Sequence, residues 1–199
     1  PELLAIARQK GREIPNVEWA QGDMRAFSLG RTFGLALIPG HSFQFMLTPE
    51  DQLACLEMIG RHLSNDGMLV VHLDHQDVGW LAGLLRNKDS PEETIRELTH
   101  PITGGRFRTR HTWVFEPATQ TATVTRRWEA LDAGGAIIAR WEMAPAALHC
   151  VFRVEMEHLL RRAGFAIEAV YGDFFRADLG SASESMIWLA RKAAPGRAG

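Results

Sequence analysis

The sequence predicts an α/β domain with a mostly parallel sheet, interrupted by an inserted antiparallel three-stranded β meander. Strand-like and helix-like segments alternate up to Asp74 and again from Arg153 to Lys192, the rhythm of crossover-connected strands. Between them, hydrophobic residues recur with period two and are separated by Gly/Pro turns. With 199 residues, 46% of them hydrophobic, the chain is long enough to bury one core without disulfides or a metal.

The opening "PELLAIARQK" reads as a helix: Pro1 suits a first turn, and Leu3, Leu4, Ile6, Ala7 and Lys10 follow at helical spacing. "VEWAQ" reads as a short strand ending at Gly22-Asp23, and "MRAFSLGRT" as a polar turn. "FGLALI" is a continuous apolar run, as expected for a strand covered on both faces. Thr48 then caps a helix, with Pro49 in the first turn and Glu50 and Asp51 at its positive end. Leu53, Leu56, Ile59, Gly60 and Leu63 line one face, "SNDG" stops the helix, and the strand "MLVVHLD" follows.

The middle segment begins with a short helix, "DVGWLAGLLR", and a loop, "NKDSPEE". Phe107, Trp113 and Phe115, then Val124, Arg126 and Trp128, then Ile137, Ala139, Trp141 and Met143 mark three alternating strands. The turns "EPATQ" and "DAGG" join them, leaving one aromatic face as the insert's own small core and Arg108 and Arg110 on the opposite, solvated face. The alternating core is thus expected over residues 1–75 and 146–199, with the insertion over 76–145. After it, "RVEMEHLLRRAGF" is a helix with Met156, Leu159, Leu160 and Ala163 on one face and Gly164 at its C-terminal cap. "AIEAVYGDF" and "SESMIWLARK" close the domain as two strands.

The formal net charge is -2, with 22 basic and 24 acidic residues dispersed along the chain, so no nucleic-acid or anionic-membrane footprint is expected. No apolar run approaches the roughly 20 residues of a membrane span, and a soluble, cytoplasmic protein is expected. Cys55 and Cys150 lie far apart and belong to no C-x-x-C pair, so they are read as reduced, buried thiols.

Ligands of open α/β sheets bind beyond the carboxyl ends of the strands. That rule selects Gly22-Asp23-Met24, Pro39-Gly40-His41-Ser42-Phe43 and Asp74-His75, and it places the insertion over the same crevice as a lid. "HLDH" raises a metal reading, but alternation puts His72 and Asp74 on one face and His75 on the other, so no metal site is expected.

The succession "PELLAIARQK", "VEWAQGDM", "LGRTF", "GLALIPGHSF", "TPEDQLACLEMIGRHLS", "NDG", "MLVVHLD" resembles the class I S-adenosylmethionine-dependent methyltransferases. Within them it is most similar to the small-molecule N- and O-methyltransferases with a β-rich insertion, built on a Rossmann-like sheet. The resemblance implies S-adenosylmethionine as cofactor and a small-molecule methyl acceptor. It implies that Asp23 accepts from the adenine amino group, Met24 offers its backbone and thioether to the ring, and Leu3 packs on the adenine edge. Pro39, Gly40 and Phe43 would border the methionine part of the cofactor.

His41 stands at the mouth where the methyl would be transferred and is the candidate base or a hydrogen-bond partner of the substrate; Ser42, His75 and Tyr171 are assigned to the acceptor. The family's glycine-rich loop and the acid that binds the ribose hydroxyls are absent, and no G-x-G-x-G occurs in the chain. The resemblance therefore implies a strand-helix-strand unit of about 30 or more residues before Pro1. The rival readings are a non-catalytic binding or scaffold domain that lacks the cofactor loop and, with least support, a metal-dependent hydrolase built on "HLDH".

Overall fold

A computed structural model describes residues 2–193 of the chain; Pro1, the expected first helical residue, lies outside them. The first helix, α1, spans Glu2–Lys10 and buries none of its residues. Two sheets follow. One is formed by β1 (Phe33–Ile38), β2 (Leu63–Asp74), β7 (Phe165–Tyr171) and β8 (Ser185–Lys192), in the order β1-β2-β8-β7. The other is formed by β3 (Glu93–Thr99), β4 (Arg106–Glu116), β5 (Thr121–Leu131) and β6 (Ile137–His149), in sequence order.

Only β1 and β2 pair in parallel; β2–β8 and β8–β7 are antiparallel, so the first sheet is mixed rather than mostly parallel. The reason is connectivity. A parallel neighbour needs a crossover, and helix α2 (Pro49–His62) supplies one between β1 and β2. The chain instead reverses from β7 into β8 through a loop without a helix, and β8 inserts between β7 and β2.

Helix α2 begins as expected. The Thr48 side chain accepts from the Asp51 N–H at 3.2 Å, and Pro49 occupies the first turn. "SNDG" does not separate helix from strand: β2 starts at Leu63, directly after His62. Helix α4 (Arg153–Arg162) ends at Gly164, whose φ of 81° is the left-handed geometry that ends helices.

The main core lies between this sheet and helices α2 and α4. Leu56, Leu69, Val71, Leu73, Met156, Leu160 and Met186 are wholly buried, and Trp188 is almost so. Each contributes about 1.5–3 kcal/mol by leaving water. Along β2 the odd-numbered residues from Leu69 to Leu73 face this core, while Val70, His72 and Asp74 face the more open side.

The opposite face and outer edge of the sheet are less covered than expected. Strand β1 is an edge strand whose Leu35 and Leu37 are 51% and 61% exposed, so "FGLALI" is not buried on both faces. "VEWAQ" forms no strand; its residues are exposed, and the segment's only ladder contact is an isolated bridge between Asp23 and Ala26.

The inserted sheet has four strands, not three. The unexpected β3 is exposed along its whole length and lacks an apolar stripe. Its ladder with β4 and its charges hold it: Glu97 pairs with Arg106 and Arg108, and Glu93 with Arg110. The last strand, β6, continues to His149, past the expected end of the insertion at residue 145.

Helix α3 (Val78–Arg86) packs on β4 around Leu81, Phe115, Ala122 and Cys150, with Trp80 and Trp113 edge to face at 5.5 Å. Trp113 therefore belongs to a helix–sheet contact, while Trp128 and the half-exposed Trp141 face each other across β5 and β6. The opposite face is not simply solvated. Glu129 is almost fully buried there, with Arg108, Arg110 and Arg140 within ion-pair distance. Cys55 and Cys150 are free and buried; burial pushes their thiols up to about 12 and about 11.

Candidate functional site

The carboxyl ends of β1 and β2 meet at a sharp turn. Gly40 and His41 follow β1 with φ of 63° and 62°, so two consecutive residues adopt the left-handed region. For glycine this is free; for histidine it is uncommon and fixes where the ring points. A 3-10 turn, Ser42–Phe45, then leads toward α2.

Two side chains lock this turn. Ser42 Oγ donates to the Pro39 carbonyl at 2.8 Å. Gln44, only 2% exposed, accepts from the Asp74 N–H at 3.0 Å and donates to the His149 carbonyl at 3.3 Å. The last register pair of β1 and β2 is Ile38 with Val71. Beyond it the Asp74 N–H has no strand beside it on that side, and Gln44 satisfies it instead. This one glutamine ties the turn to the end of β2 and to the end of the inserted sheet.

The turn brings His41 onto His72 and Asp74. His41 Nε2 lies 2.9 Å from His72 Nε2 and 3.3 Å from Asp74 Oδ1, with the two rings edge to face at 4.2 Å. His72 is further held by the Gly40 N–H, which donates to its Nδ1 at 3.3 Å, and by Ser185 Oγ at 3.2 Å from Nε2. The Phe174 ring stands edge on to His72 at 4.9 Å. Burial, and then the nearby charge of His41, hold His72 below the ordinary histidine range against the opposing pull of Asp74.

Asp74 also lines a cleft of about 1090 Å³ between the end of β2, the start of α3 and the β7–β8 loop. Trp80 and Trp113 form its aromatic wall, and Asp77, Glu184 and Arg153 supply charge. His75 lies in this cleft, its Nδ1 2.9 Å from the Ser183 carbonyl. Tyr171 does not line it; it ends β7, paired with Ile187 and bridged to Asp178.

The residues assigned to the cofactor divide. Met24 and Pro39 converge, together with Ser42 from the acceptor set, on an apolar groove of about 440 Å³ along β1 that Leu35, Leu37 and Ile38 also line. Gly40 faces open space, so its backbone stays accessible. Asp23 is held by Arg25, whose side chain and backbone N–H groups bring its carboxyl down to about 2. The charged carboxylate remains half-exposed and keeps lone pairs for a further donor.

Leu3 is 82% exposed. Phe43 must be corrected: it is wholly buried in the main core and carries the turn rather than facing a ligand. Met24 and Pro39 give the groove apolar walls that fit a planar ring, while Asp23, Gly40 and Leu3 do not line it.

His72, Gln44 and Ser185 escaped sequence reasoning as parts of one site. His72 and Asp74 share a strand face by alternation, which was legible, but His41 as their partner depends on the left-handed turn. Among the described residues no group of three or more His, Cys, Asp or Glu is placed to hold a metal, and no helix is long and apolar enough to cross a membrane.

No protein-family model matches the sequence, and no curated protein matches it. Solved structures do. An S-adenosylmethionine-dependent methyltransferase from Clostridium acetobutylicum superposes with a TM-score of 0.75 at 13% identity, over 97% of this chain and 72% of that one. The CcbJ methyltransferase from Streptomyces caelestis gives 0.73 at 19% identity, over 96% and 71%. An amino pentose methyltransferase from Micromonospora echinaspora, solved with S-adenosylmethionine bound, gives 0.69 at 20% identity, over 97% and 71%. At these identities the likeness establishes the fold: the chain has the α/β fold of the S-adenosylmethionine-dependent methyltransferases, with a mixed sheet and a separate antiparallel one.

Proposed function

We propose that this protein is an S-adenosylmethionine-dependent methyltransferase acting on a nitrogen or oxygen of a small-molecule acceptor. The observation that carries the reading is the cluster of His41, His72 and Asp74 at the carboxyl ends of the parallel strands β1 and β2, with Asp74 shared by the adjoining cleft. Asp23, Met24, Pro39 and Gly40 would hold the cofactor, with Leu3 against the adenine edge. The sequence holds no G-x-G-x-G.

When bound, S-adenosylmethionine supplies a sulfonium-activated methyl whose thioether leaving group needs no proton. The chain's own tasks are to hold the acceptor aligned, exclude water and take the acceptor's proton. His41 takes that proton, and Asp74 stabilises the imidazolium by charge. The cleft lined by Trp80, Trp113, Asp77 and Glu184 would seat the acceptor, with residues 76–145 as its lid. Of the three residues assigned to the acceptor, His75 lines this cleft, whereas Ser42 lines the groove along β1 and Tyr171 lines neither. Aromatic faces beside carboxylates suit a cationic amine, so nitrogen is the favoured target. An amino pentose methyltransferase among the structural relatives points the same way.

Calorimetric titration with S-adenosylhomocysteine tests the reading. Micromolar binding that weakens in Asp23→Ala supports it. Absence of binding, both here and in a version of the protein extended at its N-terminus, favours the alternative of a non-catalytic scaffold.

A further inference from the structure

Strand β3 carries a complete ladder on one side and an open edge on the other. All 7 of its residues pair with β4 without a bulge, and it stands at the end of the sheet order with every residue exposed. The opposite edge strand, β6, is blunted by register shifts and by Pro145, which cannot donate to a ladder. Just beyond β3, the His100 N–H donates inward to the Gly105 carbonyl at 2.8 Å. By alternation Thr94, Arg96 and Leu98 also bond inward to β4, while Glu93, Ile95, Glu97 and Thr99 turn their N–H and C=O groups to the open edge.

Such an edge is a template for another strand, and its charges select which. Glu93 and Glu97 are already paired with arginines of β4. Arg96 and Glu92 are exposed and, among the described residues, have no ion-pair partner. Thr94 and Arg96 share a face by alternation, and Glu92 lines the same small cavity as Thr94 and Trp113, which places it on that face too. Thr94 lies midway between the two free charges.

Two β3 strands meeting antiparallel about a twofold axis perpendicular to the sheet put one residue opposite its own mate. With Glu92, Glu93 or Glu97 on the axis, glutamates face each other; with Arg96, arginines do; with Ile95, Glu93 faces Glu97 twice. With Leu98 or Thr99 there, Pro101 of the β3–β4 turn enters the ladder without an N–H. Only Thr94 on the axis avoids all of these. Thr94 then faces Thr94, Glu92 faces Arg96 on both sides, and Ile95 and Glu93 exchange hydrogen bonds.

We propose that β3 is a self-association edge: two copies of this chain pair their β3 strands antiparallel about Thr94, joining two four-stranded inserted sheets into one of eight strands. The pairing requires nothing of the methyl-transfer reading.

Sedimentation velocity of the full chain over a rising concentration series tests it, at low salt because exposed ion pairs are screened. A concentration-dependent dimer is expected. Arg96→Glu, which sets a glutamate against Glu92 on both sides of the axis, should weaken the dimer about tenfold or more, and adding Glu92→Arg should restore it. Thr94→Cys should give a disulfide-linked dimer on mild oxidation, since the axial pair is a non-hydrogen-bonded one with Cα atoms about 4.5 Å apart. Thr99→Cys should not, because its mate lies about 33 Å away along the strands. The native Cys55 and Cys150 are buried, which leaves the introduced thiol as the reactive one. Every substituted position is exposed, so circular dichroism should show the fold retained. A monomer throughout the series, a dimer indifferent to Arg96→Glu or not restored by the double exchange, or Thr94→Cys linking no faster than Thr99→Cys overturns the proposal.

Discussion

Replacing Gln44 with methionine removes two hydrogen bonds from the centre of the site while nearly conserving side-chain volume. The larger loss is at the Asp74 N–H, which Gln44 alone satisfies beyond the end of β1. A buried donor left without a partner costs about 1–3 kcal/mol. The second bond, to the His149 carbonyl, matters less, because that oxygen also accepts from the Val151 N–H at 3.1 Å. Its loss adds roughly 0.5–1.5 kcal/mol, for a total of about 1.5–4.5 kcal/mol. For a chain of this size each kcal/mol lowers Tm by about 2–4 °C, so the expected fall is roughly 3–18 °C. Thermal unfolding followed by circular dichroism measures it, and amide hydrogen exchange should show Asp74 among the residues that lose protection. A Tm unchanged within error, or an Asp74 amide as protected as before, would refute the argument that Gln44 holds the turn to β2.

His41→Ala should lower kcat about 10²–10⁴-fold with little change in KM, read by steady-state methyl-transfer assay, as for a proton acceptor that does not bind the cofactor. The Asp23 carboxyl should titrate near 2 by carbon-detected NMR and return toward the ordinary 3.8 in Arg25→Ala. Its folded value is depressed, so any stability its pairing adds is present above 3.8 and lost as pH falls through about 2. Glu129→Met should destabilise by less than the roughly 3–5 kcal/mol of a broken buried ion pair, measured by urea denaturation. The discount arises because Arg108 and Arg110 are about a quarter exposed and can turn to water. Both cysteines should resist a thiol reagent in the native protein and react fully in denaturant, since each is buried and its thiol is pushed far above neutral pH.

Local signals located most of the elements. Thr48-Pro49 began a helix and Gly164 ended one because capping and left-handed backbone are chemistry of adjacent residues. The strand with His72 and Asp74 on one face followed from alternation alone. Strand β3 was hidden because its hold on the sheet comes from Glu93 and Glu97 reaching arginines on β4, a pairing that leaves no apolar period to read. "VEWAQ" misled in the opposite direction: a β-like composition forms no strand where no neighbouring edge receives it.

The sequence by itself determined that a Pro-Gly-His-Ser turn and an Asp-His pair would stand at strand ends, because strand and turn propensities act over a few residues; the acid Asp23, expected there too, follows no strand. Only the tertiary structure decided that His41 meets His72 and Asp74 and that Phe43 belongs to the core. Those outcomes depend on parallel register, two left-handed residues and a buried glutamine, which join positions distant in the chain. Contacts of that kind are selected by packing and by the need to satisfy every buried polar group, and neither is a property of any short stretch of sequence.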